Sequence, residues 1–329
     1  MKRYLLVDTL NTFFRARHAA PRRADMWTKV GFAIHTTLAS INKSCQKEGI
    51  DHVIVCTEGR SWRKEIYAPY KRNRKETYEA KTDREREEDA EFMEAYQDMI
   101  AFFRENTNCT VLHNPIAEAD DLIARWIKLH PEDHHTILSS DSDFIQLISD
   151  NVSIYNGMQS YVITPEGYHD DSGKPVKDKK TGMPKEVPDP QYALFEKCVR
   201  GDTADNIFSA YPGVRKKGSV NKVGLTEAFA DRNSRGFVWN NFMLQRWTDH
   251  NGKEHRVLDD YERNVELIDL DAQPDDIKEF IDESITEQTQ QKAVPHVGRH
   301  FLRFCGKYDL NKLSDFSKQY STWMNSKYE

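Results

Sequence analysis

The chain has 329 residues, 38% hydrophobic and 30% charged, with a formal net charge of −6. That is enough apolar material for one large or two moderate domains, and the acidic balance means that any case for nucleic acid must be local rather than global. No run approaches membrane-spanning length, the apolar start 4–7 is cut by Asp8 and too short for a signal-peptide core, and five cysteines without a CxxC pair fit a reducing cytoplasm better than a disulfide framework or thiolate zinc site.

In chain order, "YLLV" (4–7), "VIVC" (53–56), "TVLH" (110–113), "TIL" (136–138) and "VSIY" (152–155) read as buried strands. Between the first two, Val30, Ile34, Leu38, Ile41 and Cys45 recur at helical spacing. Before the third, Phe92, Tyr96, Met99 and Phe103 do the same. "EADDLIARWIK" lies between the third and fourth. This alternation predicts an α/β fold, a mainly parallel sheet flanked by helices. Residues 60–90 are very polar, and 170–188, rich in Gly, Pro and Lys, predict an exposed loop or hairpin excursion. Past residue 200 the strand signal fades. The expected division is an α/β domain over 1–200 and a mostly helical region over 201–329. His134 and His135 precede the fourth strand and read as surface residues.

The acids fall at the strand ends. Asp8 closes the first strand, and Glu58 follows the second. Glu118, Asp120 and Asp121 follow the third, and Asp141 and Asp143 follow the fourth. In a parallel sheet all these carboxyl ends lie on one edge, where ligands bind. Asp202 and Asp205 can join them from the start of the second region. Carboxylates crowded together raise one another's pKa, and divalent cations resolve the conflict. Oxygen ligands suit Mg²⁺ or Mn²⁺, and a pair of such ions is a standard device for phosphodiester hydrolysis. Taken singly, an Asp after a strand is ordinarily a helix N-cap, and "EADD" favours the helix dipole. Four strand ends carrying acids together is the stronger signal. No Gly-rich phosphate loop and no Ser/His/Asp or Cys/His arrangement competes for that edge.

From Arg60 to Lys75, Arg60, Arg63, Lys64, Lys71, Arg72, Arg74 and Lys75 are opposed only by Glu65, with Trp62, Tyr67 and Tyr70 interleaved. Charge neutralises phosphates and aromatics stack on unpaired bases. The plain alternative is a solvated charged helix. "RKEIYAPYKRNR" (63–74), "EADD" (118–121), "SSDSDF" (139–144) and "GDTADN" (201–206) occur in that order. Together they resemble the flap endonuclease family of metal-dependent 5′ nucleases. "RNVELIDLDAQPDDI" (263–277) is similar to the phage-type 5′→3′ exonucleases with ribonuclease H activity.

The resemblance covers roughly residues 1–280 and implies roles by position. Asp8, Glu58, Glu118 and Asp120 match the first-metal group. Asp141, Asp143, Asp202 and Asp205 match the second, and Asp121 completes the cluster. Arg63 and Lys71 match the catalytic basic residues that polarise the scissile phosphate. Residues 64–90 match a helical arch for the 5′ single strand, with Arg60, Lys64, Arg72 and Arg74 as DNA contacts. The segment after Pro212-Gly213 matches a helix–three-turn–helix element, with Gly213, Lys216, Lys217 and Lys222 on duplex phosphates. Two Mg²⁺ ions are implied, with Mn²⁺ as a substitute and no organic cofactor. Three departures stand out. The gap from Glu58 to Arg63 is shorter than the family's. Glu58 replaces the usual Asp, and Val214-Arg215 occupies the second glycine step of the turn, leaving the monovalent-cation site without its glycine.

The expected activity is Mg²⁺-dependent cleavage at a 5′ end, nick or 5′ flap of DNA, with RNA–DNA hybrid as a further substrate. The expected setting is phage replication or recombination in a bacterial cytoplasm. A monomer is expected, with a single-strand-binding protein or replication clamp as compatible partners and no membrane. The rivals are a PIN-type ribonuclease, which lacks the basic arch and "GDTADN", and a structure-specific DNA-binding protein that has lost catalysis, for which Glu58 speaks. An aspartyl-phosphate phosphatase fits less well, because Asp8-Thr9-Leu10 lacks the second Asp.

Overall fold

The computed structural model describes residues 1–20, 24–211 and 224–329. They form two compact units, one built from 1–61, 81–187 and 275–329, the other from 62–80 and 188–274. These differ from the 1–200 and 201–329 division, because the chain leaves and re-enters each unit.

The first unit holds a seven-stranded sheet: β1 (Arg3–Asp8), β2 (His52–Cys56), β3 (Thr110–Leu112), β4 (His134–Leu138), β5 (Val152–Asn156), β6 (Tyr161–Thr164) and β7 (Gly167–Asp170). Their order is β3-β2-β1-β4-β5-β6-β7. The first five pair in parallel, and β6 and β7 add antiparallel at one edge. All five strands expected from the sequence are present. Tyr4 through Asp8 and the whole of β2 are buried, so the strands show continuous apolar runs rather than alternation. That is the mark of a parallel sheet covered on both faces. Val7 stands between Val55 and Leu138. The strand order reverses beside β1, which opens a crevice at the carboxyl edge.

Helices cover the sheet. Met26–Glu48 is capped by Asp25, whose carboxylate accepts from Thr28 N at 2.8 Å, and stops at Gly49 in the left-handed region, φ 61°. Asp83–Asn106 starts on a Thr82/Glu85 capping box. Ile34, Leu38, Phe92, Tyr96 and Phe103 pack with Leu5, Val7 and Val55 in one core, which Phe301, Tyr320 and Trp323 of the C-terminal helices also enter. The segment 171–187 is largely exposed and held by isolated bridges, in keeping with the expected excursion. His135 departs from expectation. It is buried, stacks on Tyr4 and shares a ring nitrogen with His130 O at 2.9 Å, because β4 begins two residues earlier than the apolar run indicates.

The second unit is mostly helical, with Pro190–Arg200, Leu225–Asp231, Phe237–Met243 and Val257–Ile268 packed through Phe195, Val199, Trp239, Phe242 and Val257. It also contains an unexpected hairpin, β8 (Arg246–Thr248) and β9 (Glu254–Arg256), whose turn uses Gly252 at φ 82°. The expected helix–three-turn–helix residues Gly213, Lys216, Lys217 and Lys222 lie outside the described residues.

Candidate functional site

At the carboxyl edge of the first unit, four neighbouring strands deliver acids. Asp8 ends β1 and caps Thr9–Ala19, accepting from Asn11 N at 3.4 Å. Its other oxygen accepts from Ser139 Oγ at 2.7 Å. The residue is only 3% exposed. Burial, and then the charge of Glu58, push the Asp8 carboxyl up to about 7. The Ser139 hydroxyl pulls it back down, and Asp141 adds to the rise. The Cys56 thiol, buried at the end of β2, is raised well above its ordinary value by burial and then by Asp8, Asp120 and Glu58. Tyr96, buried beneath, is raised by burial and then by Glu58 and Asp8. Asp8, Glu58, Asp120 and Asp141 therefore share one neighbourhood of negative charge.

Local backbone fixes each of them. After β2 the chain passes Gly59, whose N–H donates to Ala117 O at 2.9 Å, while Arg60 N donates to Pro115 O at 2.8 Å. A Cβ on Gly59 would lie 2.0 Å from Asn114 O, so only glycine fits. This clamp brings the turn after β2 against the turn after β3, and Glu58 Oε2 accepts from Ala119 N at 3.2 Å. Asp120 sits in the first turn of Ala119–Leu129. Glu118 is its N-cap, and fully buried Asp121 closes a capping box by accepting from Glu118 N at 3.0 Å. Asp141 caps the next turn, accepting from Asp143 N at 3.0 Å. Sequence reading missed the residues that brace this edge. Asn11 Oδ1 accepts from Ser140 Oγ at 2.7 Å, and Ser139 ties Asp8 to the end of β4. The "SSDSD" run contains both serines, and its cap-like composition was the available signal.

The donor set is all oxygen, which suits a hard divalent cation, and the raised Asp8 shows what such a cation would relieve. Among the described residues, no three His, Cys, Asp or Glu side chains are gathered closely enough to hold an ion as they stand.

In the second unit, Asp202 and Asp205 are held by cations. Asp202 pairs with Lys197 at 2.7 Å and accepts from Ala204 N at 2.7 Å. Burial would raise its pKa, but Lys197 and the backbone N–H groups outweigh that and the net shift is downward. Asp205 accepts from Arg74 Nη2 at 2.6 Å and from the Tyr70 hydroxyl at 3.2 Å, with Lys71 Nζ at 3.7 Å. Gly201, φ 72°, cannot carry a side chain, because a Cβ would meet Ile207 O at 2.4 Å. Arg63, expected on a phosphate, is 2% exposed. It lies over Trp62 and donates Nε to Leu267 O at 2.8 Å. Arg60, Lys64, Arg72 and Arg74 are exposed. The expected arch residues 64–90 comprise Arg63–Ile66, Arg72–Glu79 and the start of Asp83–Asn106.

Residues 3–173 match the family model described as 5′-3′ exonuclease, N-terminal resolvase-like domain. The chain is 27% identical over 206 residues to a flap endonuclease of Escherichia phage T5, covering 62% of this chain and 63% of the relative. It spans about three fifths of the length of the first curated relatives it matches. Among solved structures, phage T5 5′-exonuclease with bound zinc aligns with a TM-score of 0.59 at 21% identity, covering 87% of this chain and 100% of that one. The phage T5 flap endonuclease in a pseudo-enzyme–product complex with DNA and metal ions aligns with a TM-score of 0.55 at 21% identity, covering 88% and 100%. At that identity the two structures establish a shared fold.

Proposed function

The chain belongs to the 5′-3′ exonuclease family, and from that premise we propose that it is a divalent-metal-dependent 5′ nuclease acting on DNA at a 5′ end, a nick or the base of a 5′ flap. The observation that carries this is the delivery of Asp8, Glu58, Asp120 and Asp141 by four neighbouring strands to one carboxyl edge of the sheet, where burial and then Glu58 push the Asp8 carboxyl up. A catalytic edge for a cation has this character, since burial and neighbouring acids disfavour the charge of Asp8 until a metal arrives. The relatives crystallised with metal ions and with DNA support the same reading.

Asp8, Glu58, Asp120 and Asp141 would hold Mg²⁺ or Mn²⁺, with Glu118 and Asp143 beside them. Asp121 braces the start of its helix. When bound, the ions supply the Lewis acidity that phosphodiester hydrolysis requires. Ser139 and Asn11 orient Asp8, and the Gly59 clamp orients Glu58. Lys71 is the proposed phosphate contact, with the exposed Arg72 and Arg74 drawing in the strand. Asp202 and Asp205 keep the metal-binding role of their motif within this proposal, one for which their ion pairs would have to open. RNA paired with DNA is included as a substrate on the similarity of residues 263–277 to the phage exonucleases, and phage genome replication is the setting that fits.

The test is one gel with 5′-labelled duplex, nicked, flapped and hybrid substrates. Short 5′ products that require Mg²⁺ and vanish with chelator are expected. Cleavage that survives the chelator, or none on any substrate, overturns the reading. A second reading, a DNA-binding protein without catalysis, is favoured by Glu58 standing where the family usually has Asp. The same gel, with retention of uncut DNA, decides between them.

A further inference from the structure

The basic segment and the "GDTADN" loop are interlocked within the second unit. Lys71 N donates to Asp205 O at 2.8 Å. Asn73 Nδ2 bridges Thr203 O at 3.1 Å and Ala204 O at 3.2 Å. Asn206 Nδ2 reaches back to Pro69 O at 2.7 Å. The Asp205 carboxylate takes Arg74 and the Tyr70 hydroxyl. Resting on the function proposed above, we infer that Asn73 and Asn206 are positioning residues, which lock residues 69–74 onto residues 203–206 and so set where Lys71 presents its ammonium.

Three features support this beyond ordinary stabilisation. First, the helix Arg72–Glu79 buries no side chain, so no apolar face orients it. Its apolar anchor is Tyr70, packed with Cys198, Ile207, Leu267 and Ile268, just before the helix begins. Tyr67 packs against the same cluster, so the apolar pins all lie before the helix, and the two amides tie the chain on either side of Tyr70. Second, both Lys71 (φ 53°) and Asn206 (φ 57°) hold left-handed backbone. Asparagine adopts that conformation readily, whereas a lysine keeps it only where its surroundings over-determine it, and such strain gathers at functional sites. Third, each amide donates to a backbone carbonyl. An aspartate of the same shape would instead set oxygen against oxygen, so the chemistry demands asparagine.

The test uses the full chain with Asn73→Asp, Asn206→Asp and Asn206→Gly, the last removing the side chain while tolerating the positive φ. Turnover of flapped DNA at saturation should fall on the order of ten- to a hundredfold, as for a misplaced catalytic group, with KM little changed. In a Lys71→Ala background the same substitutions should cost nothing further, which a merely structural role would not produce. Losses that multiply in full onto that of Lys71→Ala overturn the inference. So does wild-type turnover in the asparagine variants when Lys71→Ala is impaired. Full activity of Lys71→Ala itself removes the role given to Lys71 and with it this inference, whereas failure of the wild-type chain to cleave removes the nuclease reading instead.

Discussion

Replacing Asp8 by Asn should stabilise the metal-free protein at alkaline pH and cost it the metal. The carboxyl is raised from 3.8 to about 7. The folded-state pKa lies above the unfolded one, so the carboxyl's contribution is fully favourable below the unfolded value and is lost as pH climbs through 7. A rise of roughly three units, at about 1.4 kcal/mol each, amounts to a penalty on the order of 4 kcal/mol above neutrality. Asn keeps an acceptor for Ser139 Oγ, which donates at 2.7 Å to the native side chain, and carries no charge toward Glu58 or Asp141. Urea unfolding with chelator should show the variant ahead of wild type by about 2–4 kcal/mol near pH 8.5 and level with it near pH 4. Millimolar Mg²⁺ should then raise the wild type and leave the variant behind, since only a folded site that binds the ion gains from it. A variant no more stable than wild type at high pH, with chelator present, would refute the claim that burial and its neighbours' charges hold the Asp8 carboxyl up.

The remaining predictions concern the same edge. Asp120→Asn and Asp141→Asn should each lower metal-dependent cleavage by about a thousandfold or more while gel-shift binding of DNA largely survives, and full activity in both would contradict their assignment. Gly59→Ala should cost about 2–4 kcal/mol in thermal or urea unfolding, because the new Cβ meets backbone oxygen at 2.0 Å. A change below about 0.5 kcal/mol would show that the turn after β2 is not pinned as described. The Tyr96 hydroxyl is buried without a hydrogen-bond partner among the described residues, so Tyr96→Phe should be neutral or stabilising by up to about 1 kcal/mol, and a clear loss would reveal a partner.

The strands were legible because a parallel sheet buries both faces, which turns each strand into an apolar run that composition alone exposes. The acids were legible for a related reason. Asp8 and Glu58 stand so close after their strands that topology fixes their edge, whatever the side chains then do. What was hidden depends on contacts with no period. His135 looked like surface because it precedes the apolar run of the fourth strand, yet β4 starts earlier and carries it inward against Tyr4. Arg63 was given a phosphate by the resemblance of its motif, and a motif says nothing of the Leu267 carbonyl that receives its Nε. An amphipathic helix advertises a face but not its partner, so Val297–Lys307 could not be assigned to the core of β1 and β2 in advance. The β8–β9 hairpin has three-residue strands, too short for alternation to register, and only Asn251-Gly252 marked the turn.

The two sets of acids are compensated by different means, and pH separates them. Burial, and then the charges of Glu58 and Asp141, raise the Asp8 carboxyl although a hydroxyl and a backbone N–H brace it. Asp202 has Lys197 and two backbone N–H groups, and its pKa falls despite burial. The lowered group contributes stability above the unfolded value near 4 and loses it as pH falls through the folded one, the reverse of Asp8. Mild acid should therefore protonate the first-unit edge and release a cation there, while the Lys197–Asp202 pair and the loop it closes persist. Metal binding measured by calorimetry should weaken between about pH 8 and pH 6, with no parallel loss of the second unit's helices by circular dichroism. Metal affinity that stays flat across that interval would mean that Asp8 is already ionised without the ion, and the electrostatic argument for the site would lose its footing.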